Sequence, residues 1–326
     1  MGKVQIIGGG AWGLALARRL ALNGHEVQLW RRPGPALDVL RAQKEDARLL
    51  PGVTLPESVL LVDEPCADPE FVVYAVPSRG LREAAARWAF PSRTIRVSVV
   101  KGLERETLMR MSEVILDAAP GGPVAALSGP SHAEEVGRDL PASVVAACGR
   151  EDVAEAVQHL FFAPAFRVYR SEDLVGVELG GALKNVMAIA AGVCDGLALG
   201  DSAKAGLMTR GLAEMVRLGT ACGAHPITFA GLSGVGDLIV TCSSRHSRNR
   251  AVGEALGQGK SLAEILAASP KVAEGIYTAP VARALAAAHN VEMPITDMVC
   301  RLLDGAINPR LAMETLLERS AKPERS

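Results

Sequence analysis

The chain has 326 residues, of which 49% are hydrophobic and 22% are charged. This length and balance predict two globular domains with ample apolar core, and they exclude a disordered chain. Lys and Arg number 35 against 36 Asp and Glu, which gives a formal net charge of −1. A general nucleic-acid binder carries a basic excess, so we expect no nucleic-acid partner.

The six cysteines include no CxxC pair, and the six histidines form no HxxxH or HExxH motif. We therefore expect free thiols in a reducing compartment, a cytoplasmic location and no metal site. The uncharged stretch at 4–17 is centred on three glycines and lacks the preceding basic residues of a signal peptide. The longest later uncharged run, 218–236, is interrupted by five glycines and a proline, so we expect no membrane span.

Strands and helices alternate along the first half of the chain. A short apolar strand at 3–7 precedes a helical pattern at 11–22. Further strands are predicted at 27–30, 71–76, 95–100, 124–127 and 143–147, with helices at 81–89 and 106–118. This alternation predicts an α/β fold, in which helices cover both faces of a doubly wound parallel sheet.

The pattern changes near residue 174, after which Ala, Leu, Gly and Met at helical spacing dominate. We divide the chain into a nucleotide-binding domain at 1–178 and an all-helical domain at 179–326. Four prolines are expected to divide the second domain into short helices: Pro270, Pro280, Pro294 and Pro309. The polar tail at 319–326 is expected to fray.

A glycine-rich segment, Gly8-Gly9-Gly10-Ala11-Trp12-Gly13, lies between the first strand and the first helix. It has the form G-x-G-x-x-G, in which glycine allows a tight turn and a close approach of backbone N–H groups to a pyrophosphate. A strand, this loop and a helix are typical of a Rossmann domain. We therefore predict that Gly8, Gly10, Ala11, Trp12 and Gly13 bind a dinucleotide, and a glycine turn without a ligand is the alternative.

The second strand ends at Trp30-Arg31-Arg32. An NAD-binding protein usually has Asp or Glu at this point, which binds the ribose 2′-hydroxyl. Two guanidinium groups suit a 2′-phosphate instead. We predict NADP or NAD as the cofactor, with NADP preferred, and the alternative is a solvated surface pair.

Three other predicted strands end in residues that suit a ligand site, because open parallel sheets bind ligands at that edge. The first ends at Val76-Pro77-Ser78, which would lie beside the cofactor. The second ends at Val100-Lys101-Gly102, and Lys101 is either functional or an ordinary surface lysine. The third ends at Ser128-Gly129-Pro130-Ser131, and Ser131 either contacts a ligand or caps the helix near His132.

Lys184 lies in a helical stretch with small or apolar neighbours on its own face. At three and four residues away are Gly180, Gly181, Met187 and Ala188. A buried lysine without an acid is costly, and each glycine destabilises a helix by about 1 kcal/mol, so we expect a backbone or ligand close by. Desolvation and nearby cations lower the pKa of a lysine toward neutrality, as a general acid/base requires. A lysine that snorkels at a domain junction is the alternative.

Two polar segments follow in the helical half. Gly231–Asp237 is a glycine-rich turn, and Asp237 either acts in the site or caps the next helix. The segment 241–250 contains hydroxyls, an amide and three arginines, with Ser247 as a candidate N-cap before Arg248 and Asn249. Such a helix start predicts a phosphate site, and a solvated basic loop is the alternative.

Together these segments resemble the bacterial-type NAD(P)-dependent glycerol-3-phosphate dehydrogenases over nearly the whole chain. The motifs that carry the resemblance are GGGAWGLALA at 8–17, KGLE at 101–104, SGPSHAEEV at 128–136, ELGGALKNVMAIAAG at 178–192, GLSGVGDLIVTCSS at 231–244, SRNR at 247–250 and VAEG at 272–275. The resemblance implies a Rossmann domain, a helical domain and an active site between them. It also implies interconversion of sn-glycerol 3-phosphate and dihydroxyacetone phosphate by hydride transfer, a supply of glycerol 3-phosphate for phospholipid synthesis, and a homodimer.

The resemblance further implies roles for individual residues. Lys184 is the implied general base, and Lys101 and Asn185 are expected to hold the developing alkoxide. The implied substrate contacts are Lys101, Gly129, Ser131, Lys184, Asn185, Asp237, Ser247, Arg248 and Asn249. The implied cofactor contacts outside the glycines are Trp12, Arg31, Arg32, Lys101, Ala133, Arg248, Val272 and Glu274.

Two other functions fit parts of the pattern. A related dehydrogenase would act on a non-phosphorylated 2-keto or 2-hydroxy acid, which the SRNR segment argues against. A nicotinamide-sensing protein without chemistry would leave Lys184 among glycines unexplained.

Overall fold

The structure, a computed structural model, describes residues 2–268 and 272–318. An eight-stranded sheet in the order β3-β2-β1-β4-β5-β6-β7-β8 occupies the first half of the chain. The strands are β1 Lys3–Ile7, β2 Glu26–Trp30, β3 Leu60–Val62, β4 Phe71–Tyr74, β5 Ile95–Ser98, β6 Val124–Ser128, β7 Ala142–Ala147 and β8 Phe166–Ser171. The order reverses between β1 and β4, which is where open α/β sheets bind ligands.

Helices cover both faces of this sheet. They are α1 Ala11–Leu22, α2 Pro35–Gln43, α3 Leu81–Ala86, α4 Met111–Ala118, α5 Ala133–Val136 and α6 Glu151–Phe161. Apolar side chains form one core layer around α1 and α6 and another around α3 and α4. The predicted doubly wound architecture is confirmed, with one difference, because β7 pairs with β6 in the antiparallel direction.

Two strands were not predicted from the sequence. β3 has only three residues, which is too short for a clear alternating pattern. β8 alternates buried Phe166 and Val168 with exposed Arg167 and Tyr169, so the signal for this strand was available in the sequence and was missed.

The second half of the described chain is helical, as predicted. Its helices are α7 Leu174–Gly196, α8 Gly200–Ala221, α9 Asp237–Ser243, α10 Arg248–Gly257, α11 Leu262–Ala268, α12 Glu274–Ala288, α13 Pro294–Leu303 and α14 Pro309–Leu317. α7 is long and apolar enough to cross a membrane by length and composition, but 89% of its most apolar window is buried inside the protein. It therefore has the surroundings of a core helix, and residues 176–194 are all buried.

The prediction that Pro280 ends a helix is wrong. Pro280 lies inside α12, where Ala279, Val281 and Ala282 are buried against the helical core. Burial of this apolar segment outweighs the backbone hydrogen bond that proline removes. Pro294 and Pro309 begin helices, whereas Pro270 and the tail at 319–326 lie outside the described residues.

The predicted helix at 106–118 begins only at Met111, because Leu108 has a φ of +62° and interrupts it. The predicted helix at 81–89 ends at Ala86. The proposed division between residues 178 and 179 falls inside α7, and it stays a prediction.

α7 and α10 approach each other closely through glycines. A Cβ at Gly192 would lie 2.0 Å from the carbonyl oxygen of Arg250, and one at Gly253 would lie 1.9 Å from that of Ile189. Only glycine allows backbones to come this near. The crossing holds the first turn of α10 beside the middle of α7, where Lys184 lies.

Candidate active site

The glycine loop lies at the carboxyl end of β1 and opens α1. Gly8 has a φ of +118°, and a Cβ there would lie 2.5 Å from the carbonyl oxygen of Ala75. A Cβ at Gly13 would lie 1.9 Å from the Gly8 carbonyl oxygen, so α1 packs on the loop only with glycine at this position. Gly10 is the exposed N-cap of α1, provides no side-chain cap, and would have nothing within 4 Å of a Cβ.

These features fit a dinucleotide. The first turn of α1, at Ala11 and Trp12, has backbone N–H groups without acceptors inside the helix, and the helix dipole favours an anion there. The open space at Gly10 leaves these donors accessible to a pyrophosphate. The loop therefore has the geometry of a cradle for the phosphates of NAD(P).

The two arginines after β2 differ in their surroundings. Arg31 forms an ion pair with Asp46 at 2.8 Å, whereas Arg32 is exposed. Sequence reasoning found no acid at this strand end. Asp46 follows α2 and reaches the strand end only through the tertiary fold, so spacing along β2 could not reveal it.

Two lysines and an aspartate form a charged cluster between the sheet and the helical half. Lys101 follows β5, Lys184 lies in α7, and Asp237 is the first residue of α9. Asp237 Oδ1 lies 2.9 Å from Lys184 Nζ, and Asp237 Oδ2 lies 2.6 Å from Lys101 Nζ. The side chains of Lys184, Asp237 and Lys101 are 8%, 2% and 18% exposed. Lys101 is thus no ordinary surface lysine, and the N-cap of α9 is Gly236 rather than Asp237.

Thr241 completes the surroundings of Lys184. Its hydroxyl accepts a hydrogen bond from Lys184 Nζ at 2.7 Å and donates one to Asp237 Oδ1 at 3.2 Å. Sequence reasoning missed this residue. The available signal was its position four residues after Asp237, which puts both side chains on one face of a helix.

Burial and, to a smaller extent, the charge of Lys101 together lower the pKa of Lys184 from 10.5 to about 8, although Asp237 opposes the change. Burial alone would raise the pKa of Asp237, but the two ammonium groups hold it below its ordinary value. The carboxylate therefore stays ionised at neutral pH. Lys184 can exchange a proton near physiological pH, as a general acid/base requires.

The two glycines before Lys184 are explained by close contacts. A Cβ at Gly180 would lie 2.4 Å from the carbonyl oxygen of Ser233, and one at Gly181 would lie 2.5 Å from Ser128 Oγ and 3.4 Å from Lys101 Cγ. The prediction that another backbone comes close to α7 here is confirmed. Both glycines let the strand-end residues and the short π-helix Leu232–Gly236 before α9 pack against the turn of α7 that precedes Lys184.

Asn185 and Asn249 connect three helices to the cluster. Asn185 Nδ2 donates to the carbonyl oxygens of Lys101 at 3.2 Å and Gly181 at 3.3 Å. Asn185 Oδ1 accepts from Asn249 Nδ2 at 2.9 Å, and Asn249 Oδ1 accepts from the Gly275 N–H at 2.9 Å. Both N–H groups of Asn185 are thus engaged within the protein, so the structure gives this side chain a positioning role toward Lys101 rather than a free donor for an alkoxide.

Ser247 is the N-cap of α10, as predicted. Its buried Oγ accepts a hydrogen bond from the Arg250 N–H at 3.2 Å. Arg250 pairs with Asp195 at 2.7 Å and with Glu254 at 3.1 Å, so its charge is used within the protein. Arg248 is exposed at the helix start, where its guanidinium and the helix N-terminus suit a phosphate.

The loop after β6 contributes further predicted residues. Gly129 has a φ of +134°, and its carbonyl oxygen accepts from Ser131 Oγ at 2.9 Å and from Lys101 Nζ at 2.8 Å. The N-cap of α5 is His132, so the alternative that Ser131 caps this helix is wrong. The helix begins at Ala133, and the His132 ring lies 5.9 Å from that of His246, centroid to centroid.

Glu274 joins the helical half to the sheet edge. Its carboxylate accepts from the Ser78 hydroxyl at 2.6 Å and from the Ser78 N–H at 3.2 Å. Ser78 follows β4, next to the glycine loop in the sheet order. Val272 is half-buried just before α12. The two predicted cofactor contacts of this segment thus lie at the junction between the halves.

The geometry agrees with comparisons with known proteins. A relative from Pelotomaculum thermopropionicum, named glycerol-3-phosphate dehydrogenase (NAD(P)+), is 48% identical, and the match covers 99% of this chain and 95% of that protein. The chain belongs to the NAD-dependent glycerol-3-phosphate dehydrogenase family. Models of the N-terminus and C-terminus of that family match residues 3–154 and 173–314.

Two further members of the family show the same likeness. A relative from Desulfitobacterium hafniense with the same name is 46% identical, over 99% of this chain and 93% of that protein. A crystal structure of a glycerol-3-phosphate dehydrogenase from Coxiella burnetii has a TM-score of 0.92 at 36% identity and covers 98% of this chain and 99% of that chain.

The resemblance that the motifs carried is therefore confirmed, together with the fold and the class of enzyme, an NAD(P)-dependent oxidoreductase. NAD(P) as the cofactor class is confirmed as well. The roles of individual residues stay predictions.

Proposed function

We propose that this member of the family interconverts sn-glycerol 3-phosphate and dihydroxyacetone phosphate, with Lys184 moving the proton on the C2 oxygen. The observation that supports this most is the buried Lys101–Asp237–Lys184 cluster, in which Lys184 has a pKa of about 8. In oxidation the uncharged amine of Lys184 takes the hydroxyl proton. In reduction its ammonium returns the proton to the carbonyl oxygen.

Asp237 and Thr241 both bind Lys184 Nζ, which fixes the position of the amine. Lys101 places a second positive charge at the same junction, where it stabilises negative charge that develops on the C2 oxygen. Asn185 keeps the backbone of Lys101 in place through its hydrogen bond to that carbonyl oxygen. These residues thus supply proton transfer and charge stabilisation at the C2 oxygen.

The phosphate of the substrate binds at the start of α10, at a distance from the reacting carbon. Arg248 supplies an exposed guanidinium, Ser247 shapes the helix start, and Asn249 connects the turn to Asn185 beside Lys184. Binding energy from this remote group orients C2 at the lysine. Gly129 and Ser131 complete the proposed substrate contacts from the sheet side.

When bound, NAD(P) supplies or accepts the hydride. The glycine loop holds its pyrophosphate, and Arg31 and Arg32 lie where the adenosine ribose binds. The residues proposed to contact the rest of the cofactor are Lys101, Ala133, Arg248, Val272 and Glu274.

The test of the central role is Lys184→Ala. We expect kcat to fall by about 100-fold or more, because general acid/base catalysis contributes on that order, while the Kd of the cofactor stays unchanged. Lys260→Ala is the control, since Lys260 is exposed beyond the C-terminal end of α10. Near-normal turnover in the Lys184 variant would contradict the assignment.

The rival substrate class is tested with dihydroxyacetone in place of its phosphate. If the start of α10 binds phosphate, kcat/KM for the unphosphorylated ketone should be lower by about 100-fold or more, since charge-assisted contacts are lost. Equal use of both ketones would contradict the proposed phosphate site.

We also propose a setting for the enzyme. The six cysteines are free thiols, which supports the cytoplasm as a reducing compartment. Supply of glycerol 3-phosphate for phospholipid synthesis fits the proposed reaction. A homodimer is proposed from the family resemblance, and light scattering would measure the mass.

A further inference from the structure

An acid reaches the end of β2 from a later part of the chain. Asp46 lies fifteen residues after Arg31 in the sequence, and its Oδ2 is 2.8 Å from Arg31 Nη1. The side chains of Arg31 and Asp46 are 12% and 10% exposed, so solvent screens this ion pair only weakly. Arg32 is exposed and forms an ion pair with none of the residues that the structure describes.

This ion pair lies directly behind the glycine loop. A Cβ at Gly9 would come within 2.8 Å of Arg31 Cδ, so the Arg31 stem packs across that glycine. In dinucleotide-binding sheets the adenosine ribose lies at the end of the second strand, beside this loop. An acid there binds the 2′-hydroxyl of NAD, and an arginine there binds the 2′-phosphate of NADP. Asp46 and Arg31 therefore lie where the two cofactors differ.

The Asp46 carboxylate is held firmly. Its Oδ1 accepts from the backbone N–H groups of Leu49 at 3.0 Å and Arg48 at 3.2 Å, which forms a side-chain turn. Burial alone would raise the pKa of Asp46, but Arg31 and the Leu49 N–H hold it below its ordinary value. The group is thus a fixed negative charge at neutral pH.

We propose that Asp46 sets the cofactor preference of this enzyme, an inference that rests on the proposed use of NAD(P). With NAD, Asp46 neutralises Arg31 and is placed to accept a hydrogen bond from the ribose. With NADP, the 2′-phosphate competes with Asp46 for Arg31 and is repelled by the carboxylate. Arg32 and Arg48, whose charge also acts on Asp46, are then the guanidinium groups left for the phosphate. The enzyme accepts both cofactors, instead of strongly preferring NADP as two free arginines would predict.

The test is Asp46→Asn, which removes the charge but keeps an oxygen that can accept from Arg48 and Leu49. Asp68→Asn is the matched control, because it removes one negative charge from an exposed pair with Arg93 at the amino ends of β4 and β5. Calorimetric titration without substrate gives the Kd of NADPH and of NADH for each protein. The same proteins are assayed for kcat/KM with each cofactor at saturating dihydroxyacetone phosphate.

We expect the ratio of the NADH Kd to the NADPH Kd to rise by about tenfold or more in Asp46→Asn. The 2′-phosphate then gains a charge-assisted contact with Arg31 and is no longer repelled by the carboxylate of Asp46. In Asp68→Asn it should stay within about twofold of the wild type. A ratio in Asp46→Asn that stays within about twofold of the wild type would overturn the proposal.

Arg31→Gln keeps the proposal testable if the Asp46 variant does not fold. It leaves Asp46 as an unneutralised charge, so NADPH binding should weaken by about tenfold more than NADH binding. Equal weakening of both cofactors would also overturn the proposal. If the wild type binds both cofactors but turns over no dihydroxyacetone phosphate, the proposed function fails, whereas the binding ratios still decide the role of Asp46.

Discussion

The proposed role of Lys184 predicts how the rate in each direction depends on pH. The pKa of Lys184 is about 8, well below the 10.5 of a free lysine, because the side chain is buried. The uncharged amine is the reactive form in oxidation, so kcat for glycerol 3-phosphate oxidation should rise with pH and level off above the pKa. The ammonium is the reactive form in reduction, so the rate with dihydroxyacetone phosphate should fall through the same midpoint.

Replacing Lys101 by Met should move that midpoint to higher pH. Lys101 and Lys184 bind the two oxygens of one carboxylate, and at an effective dielectric constant of about 20 two like charges this close repel by a few kcal/mol. Lys101 is 18% exposed, so solvent reduces this figure. In this variant Asp237 pairs with Lys184 only, which stabilises the ammonium form of Lys184 further. We expect the pKa of Lys184 to rise by about one pH unit.

Asp237→Asn should move the midpoint in the opposite direction, because it removes the carboxylate that favours the ammonium of Lys184. The assay is the initial rate of formation or loss of reduced nicotinamide, at constant ionic strength, over about two pH units on each side of the expected midpoint. Lys260→Met is the control for loss of one exposed lysine. A midpoint that falls in the Lys101 variant, or that is the same in all four proteins, would refute the electrostatic reasoning.

Two further predictions concern packing and substrate binding. Gly180→Ala should lower the free energy of unfolding by about 2 kcal/mol or more, since its Cβ would lie 2.4 Å from the Ser233 carbonyl oxygen. Gly206→Ala on α8, where a Cβ would meet nothing within 4 Å, should raise the free energy of unfolding by about 0.5–1 kcal/mol. Denaturant unfolding measures both, and equal effects would contradict the contact. Arg248→Ala should raise the KM for dihydroxyacetone phosphate by about tenfold or more, with a smaller change in kcat. Arg310→Ala, at an exposed position of α14, should change neither. An unchanged KM in the Arg248 variant would remove that residue from the phosphate site.

Much of the fold could be predicted from local patterns. The glycine loop was visible because its requirements are local: a strand, a tight turn and a helix start that follow one another in the chain. The N-cap at Ser247 was visible for the same reason, since a hydroxyl and the N–H three residues later belong to one turn. The boundaries of weak elements were not visible, because burial against other segments decides them. Pro280 inside α12 shows this.

Contacts between distant segments could not be predicted in this way. Lys184 was singled out by the absence of an acid on its own helix face, yet its acid is Asp237, which belongs to a different helix. The missing acid at the end of β2 is likewise supplied from beyond α2, by Asp46. In both cases the partner is invisible to spacing, because its distance along the chain bears no relation to its distance in space.

The sequence by itself therefore determined that a dinucleotide fold precedes a helical half, and it singled out an unusual lysine and a basic helix start as candidates for the chemistry. Those features depend on periodicity, glycine conformations and helix ends, all of which act over a few residues. The tertiary structure alone decided which charges meet: one carboxylate between two lysines, and another against the arginine behind the glycine loop. Coulomb interactions depend on separation in space and on burial, and only the folded chain sets both.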